Sequence, residues 1–140
     1  MSNNYGLNRY KQTSITTANR GQIIIMLYEG CIKFLRKAIE AINSKNIADK
    51  GTYIGKAQDI INELNNSLNH EVGGEITREL QRLYDYIFEQ TTHANLNSDT
   101  KPIEASIRVL ETLLDGWRVA VAKSGAGEPG AVNGPPTQNP

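Results

Sequence analysis

Apolar side chains recur at alternating steps of four and three along four stretches of the chain, the spacing that holds one face of a helix against a neighbour. The first stretch opens after Asn19, a suitable N-cap, and runs to about Asn43, with Ile24, Tyr28, Cys31, Leu35, Ala38 and Ile42 as its seam. The second runs from about Asp49 to Leu68 through Ile54, Ala57, Ile61 and Leu64. Gly73-Gly74 then interrupts the pattern, because paired glycines favour a turn over a continued helix. The third starts near Glu75, whose carboxylate complements the helix dipole, and carries Ile76, Leu80, Leu83, Ile87 and Ala94. Asn95 and Asn97 close it, and Asp99 is placed to cap the next. The fourth has Pro102 in its first turn, where a missing N–H costs little, followed by Ile103, Ile107, Leu110, Leu114, Trp117 and Val121. No stretch alternates with the period of two that a half-buried strand requires. Short connections between long helices make sequential neighbours antiparallel, so the pattern predicts an all-α, up-down-up-down four-helix bundle.

Both ends break the pattern. Residues 1–18 form a polar N-terminal arm with Tyr5, Leu7, Tyr10 and Ile15 spaced along it. Residues 19–123 hold the bundle. The tail over 124–140, SGAGEPGAVNGPPTQNP, is rich in glycine and proline, cannot bury a core, and is expected to be disordered. A length of 140 residues fits one domain, which can bury enough surface to fold without disulfides or metal. Fifteen basic residues balance fifteen acidic ones, leaving no net field to draw in nucleic acid or an anionic membrane. One cysteine excludes an internal disulfide and suits a reducing compartment. The first residues show no apolar signal region, and the apolar run from Ile23 to Tyr28 falls far short of the about 20 residues that span a bilayer. The expectation is a cytosolic protein with no membrane insertion.

Chemistry is hard to assemble from what remains. A di-iron bundle takes a Glu-x-x-His pair from each of two helices. Ser67 stands three before His70 and Gln90 three before His93, so neither histidine completes such a pair. Glu89 and His93 share a helix face, where a solvated surface pair is the simpler reading. His70-Glu71 lacks the second histidine of a zinc-protease motif. A phosphotransfer histidine would sit mid-helix on an exposed face, whereas His70 lies at a helix end beside two glycines. Cys31 falls on the seam between Tyr28 and Leu35 and reads as a buried structural thiol. No catalytic residue, metal site or cofactor is expected.

The informative feature is surplus apolar surface. Beyond its seam the first helix carries Ile23, Ile25, Leu27, Ile32, Phe34 and Ile39, and the fourth carries Val109, Leu113 and Val119. Either the first helix is central, or apolar rows line grooves that accept helices from a partner. Tyr10, Tyr84, Tyr86 and Trp117 are of the residue types that anchor interfaces, and each also suits the rim of a core.

The order of several phrases goes further. Thr17-Ala18-Asn19-Arg20 leads into Ile24-Ile25-Met26-Leu27-Tyr28-Glu29-Gly30. Lys56-Ala57-Gln58-Asp59-Ile60-Ile61-Asn62-Glu63-Leu64 and Ser67-Leu68 precede Gly73-Gly74-Glu75-Ile76. Leu83-Tyr84-Asp85-Tyr86-Ile87, Ala94-Asn95 and Trp117 complete the set. In this order and at these separations the chain resembles the FliS family of flagellar export chaperones over roughly residues 6–120. The resemblance implies a non-enzymatic cytosolic chaperone that binds the C-terminal region of flagellin. It implies that the chaperone prevents premature polymerisation and delivers its client to the flagellar type III export apparatus. It also implies that the segment before the first helix takes part, a role that Gly6-Leu7-Asn8-Arg9-Tyr10 carries here through Leu7 and Tyr10. Ile23, Leu27, Leu113 and Trp117 are expected as groove lining. Gly73 and Gly74 are expected to shape a turn that Tyr84 and Tyr86 lock to the bundle. The family commonly has Ser-Pro where this chain has Asn19-Arg20, which keeps a cap but loses the proline's fixed φ. Two rival readings are a bundle that self-associates through the same surface, as a homodimer when no client is present, and a histidine phosphotransfer domain.

Overall fold

The four periodic stretches fold as four helices. The computed structural model describes residues 20–68 and 70–124, and of 70–72 and 124 the backbone alone. The helices are α1 (Arg20–Asn43), α2 (Ile47–Asn66), α3 (His70–Asn97) and α4 (Lys101–Ser124). The expected arm over 1–18, with Leu7 and Tyr10, the cap at Asn19 and most of the expected tail lie outside the described residues.

Each helix packs against its sequence neighbour, and α4 closes the ring against α1. Cross-helix partners run in opposite senses. Glu29 meets Arg118 while Arg36 meets Glu111, so α1 and α4 are antiparallel. Cys31 touches Ala57 while Phe34 touches Tyr53, and Lys50, Gln58 and Asn65 meet Asn95, Thr91 and Asp85 in turn. The order is up-down-up-down.

The seams supply the core. Tyr28, Cys31, Leu35 and Ala38 of α1 are fully buried, as are Ile54, Ala57, Ile61 and Leu64 of α2. All six α4 seam residues, Ile103 to Val121, are buried. In α3 the core positions are Leu80, Tyr84, Ile87 and Ala94, while Leu83 is only half-buried. Tyr84 thus sits inside the bundle, where its hydroxyl and that of Tyr28 share a hydrogen bond of 2.6 Å across the ring. Their rings meet edge to face at 6.3 Å, the favoured geometry for an aromatic pair. Tyr86, by contrast, is exposed.

Local chemistry sets the ends. α1 stops in a left-handed Lys45, φ 61°, with the Asn46 N–H reaching the Ala41 carbonyl at 2.8 Å and the Lys45 N–H the Ile42 carbonyl at 3.0 Å. That pairing uses up two orphan carbonyls of the last turn. Ser98, φ 50°, closes α3 in the same manner through the Asp99 N–H and the Ala94 carbonyl. α2 begins two residues ahead of the expected Asp49, because the Asn46 side chain accepts the Asp49 N–H at 3.0 Å and caps the helix. The Asp99 carboxylate accepts the Lys101 N–H at the start of α4.

Gly74 has φ 58° and ψ −128°, a non-helical conformation that kinks α3 before the regular helix resumes at Glu75. Only glycine adopts it readily. Gly73 is required for a different reason: a Cβ there would stand 1.2 Å from Thr77 Oγ1 and 2.5 Å from its Cβ.

Polar side chains stitch α2 to α3. Lys50, 7 % exposed, donates to the Asn95 carbonyl and to Ser98 Oγ, both at 2.8 Å. A cation at the negative end of α3 is well placed. The Gln58 amide spans the Phe88 carbonyl and the Thr91 and Thr92 hydroxyls.

Candidate functional site: an apolar groove between the third and fourth helices

The surplus apolar residues divide into two groups. Ile23, Leu27 and Ile32 are buried because α1 packs against both α2 and α4 and reaches α3 through Tyr28. Ile25, Phe34 and Ile39 are half-buried against the same core. α1 is therefore the most enclosed helix, and much of its excess serves the fold.

The α4 excess does not vanish in this way. Val109 and Leu113, one turn apart, stand beside the core stripe and remain half-exposed. With Leu83, Arg108 and Thr112 they line a groove of 290 Å³ between α3 and α4. Tyr86 lies one turn from Leu83 on α3, and Val119 lies two turns from Thr112 on α4, at 41 % and 51 % exposure. Leu83 is available because its neighbour Tyr84 takes the core position.

A larger depression of 680 Å³ separates α1 from α4, but its chemistry differs. Glu29, Arg36, Glu111 and Arg118 stand along its walls, and two ion pairs cross it: Arg36 with Glu111, and Arg118 with Glu29 at 2.7 Å. Arg118 also faces Asp115 at 3.8 Å. An apolar segment entering there would strip water from paired charges with little gain. The smaller α3–α4 groove is the better receptor for an apolar helix.

Of the expected lining residues, Leu113 faces this groove. Ile23, Leu27 and Trp117 belong to the core, at 7 %, 4 % and 3 % exposure. Burial pushes the Tyr28 phenol up to about 12, against the smaller opposing pull of Tyr84 and Trp117 beside it. Tyr84 is driven further upward by burial and by Tyr28 beside it. Cys31 Sγ lies 3.6 Å from the Ala57 carbonyl, and burial raises its thiol to about 12. These groups stay neutral and hold the core, so none is poised as a nucleophile. Glu89 and His93 are both exposed. Among the described residues, no group of three histidine, cysteine or acidic side chains could hold a metal ion.

The arrangement defines a four-helix bundle with an apolar groove open between α3 and α4. The family model for the flagellar protein FliS matches residues 1–124. The chain belongs to the FliS family. It is 35 % identical over 112 residues to the flagellar secretion chaperone FliS of Bacillus subtilis, covering 80 % of this chain and 83 % of the relative. Against the protein of the same name from Campylobacter jejuni it is 33 % identical over 118 residues, covering 84 % and 92 %. A crystal structure described as a flagellar chaperone from bacteria superposes with a TM-score of 0.71 at 32 % identity, covering 85 % of this chain and 97 % of the other. None of the described helices is long and apolar enough to cross a membrane.

Proposed function

We propose that this chain is a cytosolic export chaperone that binds the C-terminal region of flagellin, prevents its premature polymerisation and delivers it to the flagellar type III export apparatus. The observation that carries this reading is the apolar α3–α4 groove, open on a bundle whose relatives are named flagellar secretion chaperones. A client segment that is disordered until it assembles offers an amphipathic face to such a groove and folds on binding. The ordering cost lowers affinity per unit area, which suits a cargo that must be released. Leu113, Leu83 and Val109 grip the client along the groove. Leu7 and Tyr10 of the arm take part in holding the client. Ile23, Leu27 and Trp117 act from beneath, by setting how α1 and α4 pack.

Titration calorimetry with the C-terminal segment of the same organism's flagellin tests this. Leu83→Asp with Leu113→Asp, or Leu7→Ala with Tyr10→Ala, removes two anchors and should weaken binding by about 2–4 kcal/mol, with helix content unchanged by circular dichroism. Wild-type affinity in the first pair would move the client off this groove; wild-type affinity in the second would remove the arm. A fall in melting temperature caused by the arm pair would make those residues part of the core.

A further inference from the structure

The face opposite the groove, formed by α1 and α2, has its own chemistry. Phe34 of α1 and Tyr53 of α2 stack at 6.2 Å with an interplanar angle of 22°. Both rings are half-buried and pack against the core. Lys56 Nζ stands over both, 5.4 Å from the Phe34 centroid and 5.9 Å from that of Tyr53. Lys37 Nζ stands 5.7 Å from the Tyr53 centroid. Lys37 also borders the α1–α4 depression, so it stands where the two faces meet. Among the described residues neither of these two ammonium groups forms an ion pair, although Arg36 and Arg118 on the α1–α4 face are both paired.

We propose that this aromatic platform with its lysines is a second docking surface, for a segment of another protein that presents carboxylates beside an apolar side chain. Cation–π contacts hold Lys37 and Lys56 over the rings without neutralising them. Their charge remains available to carboxylates that arrive from outside, while the exposed parts of the half-buried rings receive the apolar side chain. Charge complementarity selects the occupant. Residues 1–19 of this chain contain Arg9 and Lys11 and no carboxylate, so the arm repels the patch; residues 125–140 contain one acidic side chain, Glu128. A nucleic acid would need a broader cationic field than a chain of zero net charge provides. The platform and the α3–α4 groove lie on opposite sides of the ring of helices. A protein seated on one leaves the other open. This inference stands apart from the flagellin assignment, since it requires only the α1–α2 face.

The test is a heteronuclear NMR titration of the full chain with a blocked twelve-residue peptide that alternates Glu and Leu around one Trp. A matched peptide carries Gln for every Glu. Shift changes centred on Phe34, Lys37, Tyr53 and Lys56 with the Glu peptide, at least tenfold weaker with the Gln peptide, are expected. Lys37→Gln with Lys56→Gln should weaken the Glu peptide at least fivefold while preserving the spectrum of the fold and binding of flagellin's C-terminal segment. No shifts at millimolar peptide, shifts centred elsewhere, or equal response to both peptides would overturn the proposal. So would tighter binding of a twelve-nucleotide DNA strand at the same residues, or concentration-dependent shifts there without peptide, which would assign the face to nucleic acid or to a second copy. Loss of flagellin binding in the wild type would leave these readouts intact and would count against the chaperone reading alone.

Discussion

Cys31 and Tyr28 show how a side chain can matter through what it does not do. Each is fully buried, and burial holds each proton far above its ordinary value, from 9.0 for the thiol and 10.0 for the phenol to about 12 in both. Between those limits the unfolded chain has released protons that the folded chain retains, so stability falls as pH rises. The stabilisation is fully present below about pH 9 and is lost progressively toward pH 12. Denaturant titrations from pH 8 to 11 should show this decline, and Cys31→Ala should lessen it while the tyrosine share remains. A stability independent of pH over that range would contradict the buried placement. Glycine acts through the backbone instead. Gly74→Ala would force a Cβ onto φ 58°, ψ −128°, and strain of about 1–3 kcal/mol follows. A melting temperature within a degree of wild type would show that the kink is dispensable. Both features were legible: Cys31 from its seam position, and the glycine pair as a break. That Thr77 excludes a Cβ at Gly73, and that Gly74 is held by its own dihedrals, depends on packing and backbone geometry that no residue spacing encodes.

At the scale of the element, helix periodicity located all four helices, and the α4 seam from Ile103 to Val121 is buried without exception. The start of α2 came out late because Asn46 lies within a polar Asn-Ser-Lys-Asn run, where no apolar spacing marks which residue caps. Tyr84 and Leu83 exchanged roles for a related reason. Adjacent apolar residues both fit a 3.6-residue period, and only the partner across the bundle, Tyr28, decides which points inward. The polar stitching of α2 to α3 was invisible, since Lys50 and Gln58 read as solvent-facing in a sequence. Lys50→Met keeps the stem but leaves the Asn95 carbonyl and Ser98 without its hydrogen bonds, and should cost about 1–3 kcal/mol. Lys45→Gly relaxes a left-handed residue and should add about 0.5–1 kcal/mol. Urea midpoints would measure both, and opposite signs would refute these assignments of how the helices end.

The whole molecule is a ring of four helices whose sides are chemically distinct. α1 with α4 is clamped by ion pairs, α2 with α3 by side-chain hydrogen bonds, α3 with α4 leaves an apolar groove, and α1 with α2 carries stacked rings under lysines. Surplus hydrophobicity in the sequence pointed to a groove, but could not say which surplus stays exposed. Ring closure settles that: α1 is enclosed on several sides, whereas Val109 and Leu113 stand off the α4 core stripe. The most direct test of the proposed function is size-exclusion chromatography with light scattering, on this protein mixed with the C-terminal segment of its own organism's flagellin. The predicted result is a single species with the mass of a one-to-one complex, lost when Leu83 and Leu113 are both replaced by Asp. Separate elution of the folded chain and the segment, or a self-associated species that the segment does not dissociate, would contradict it.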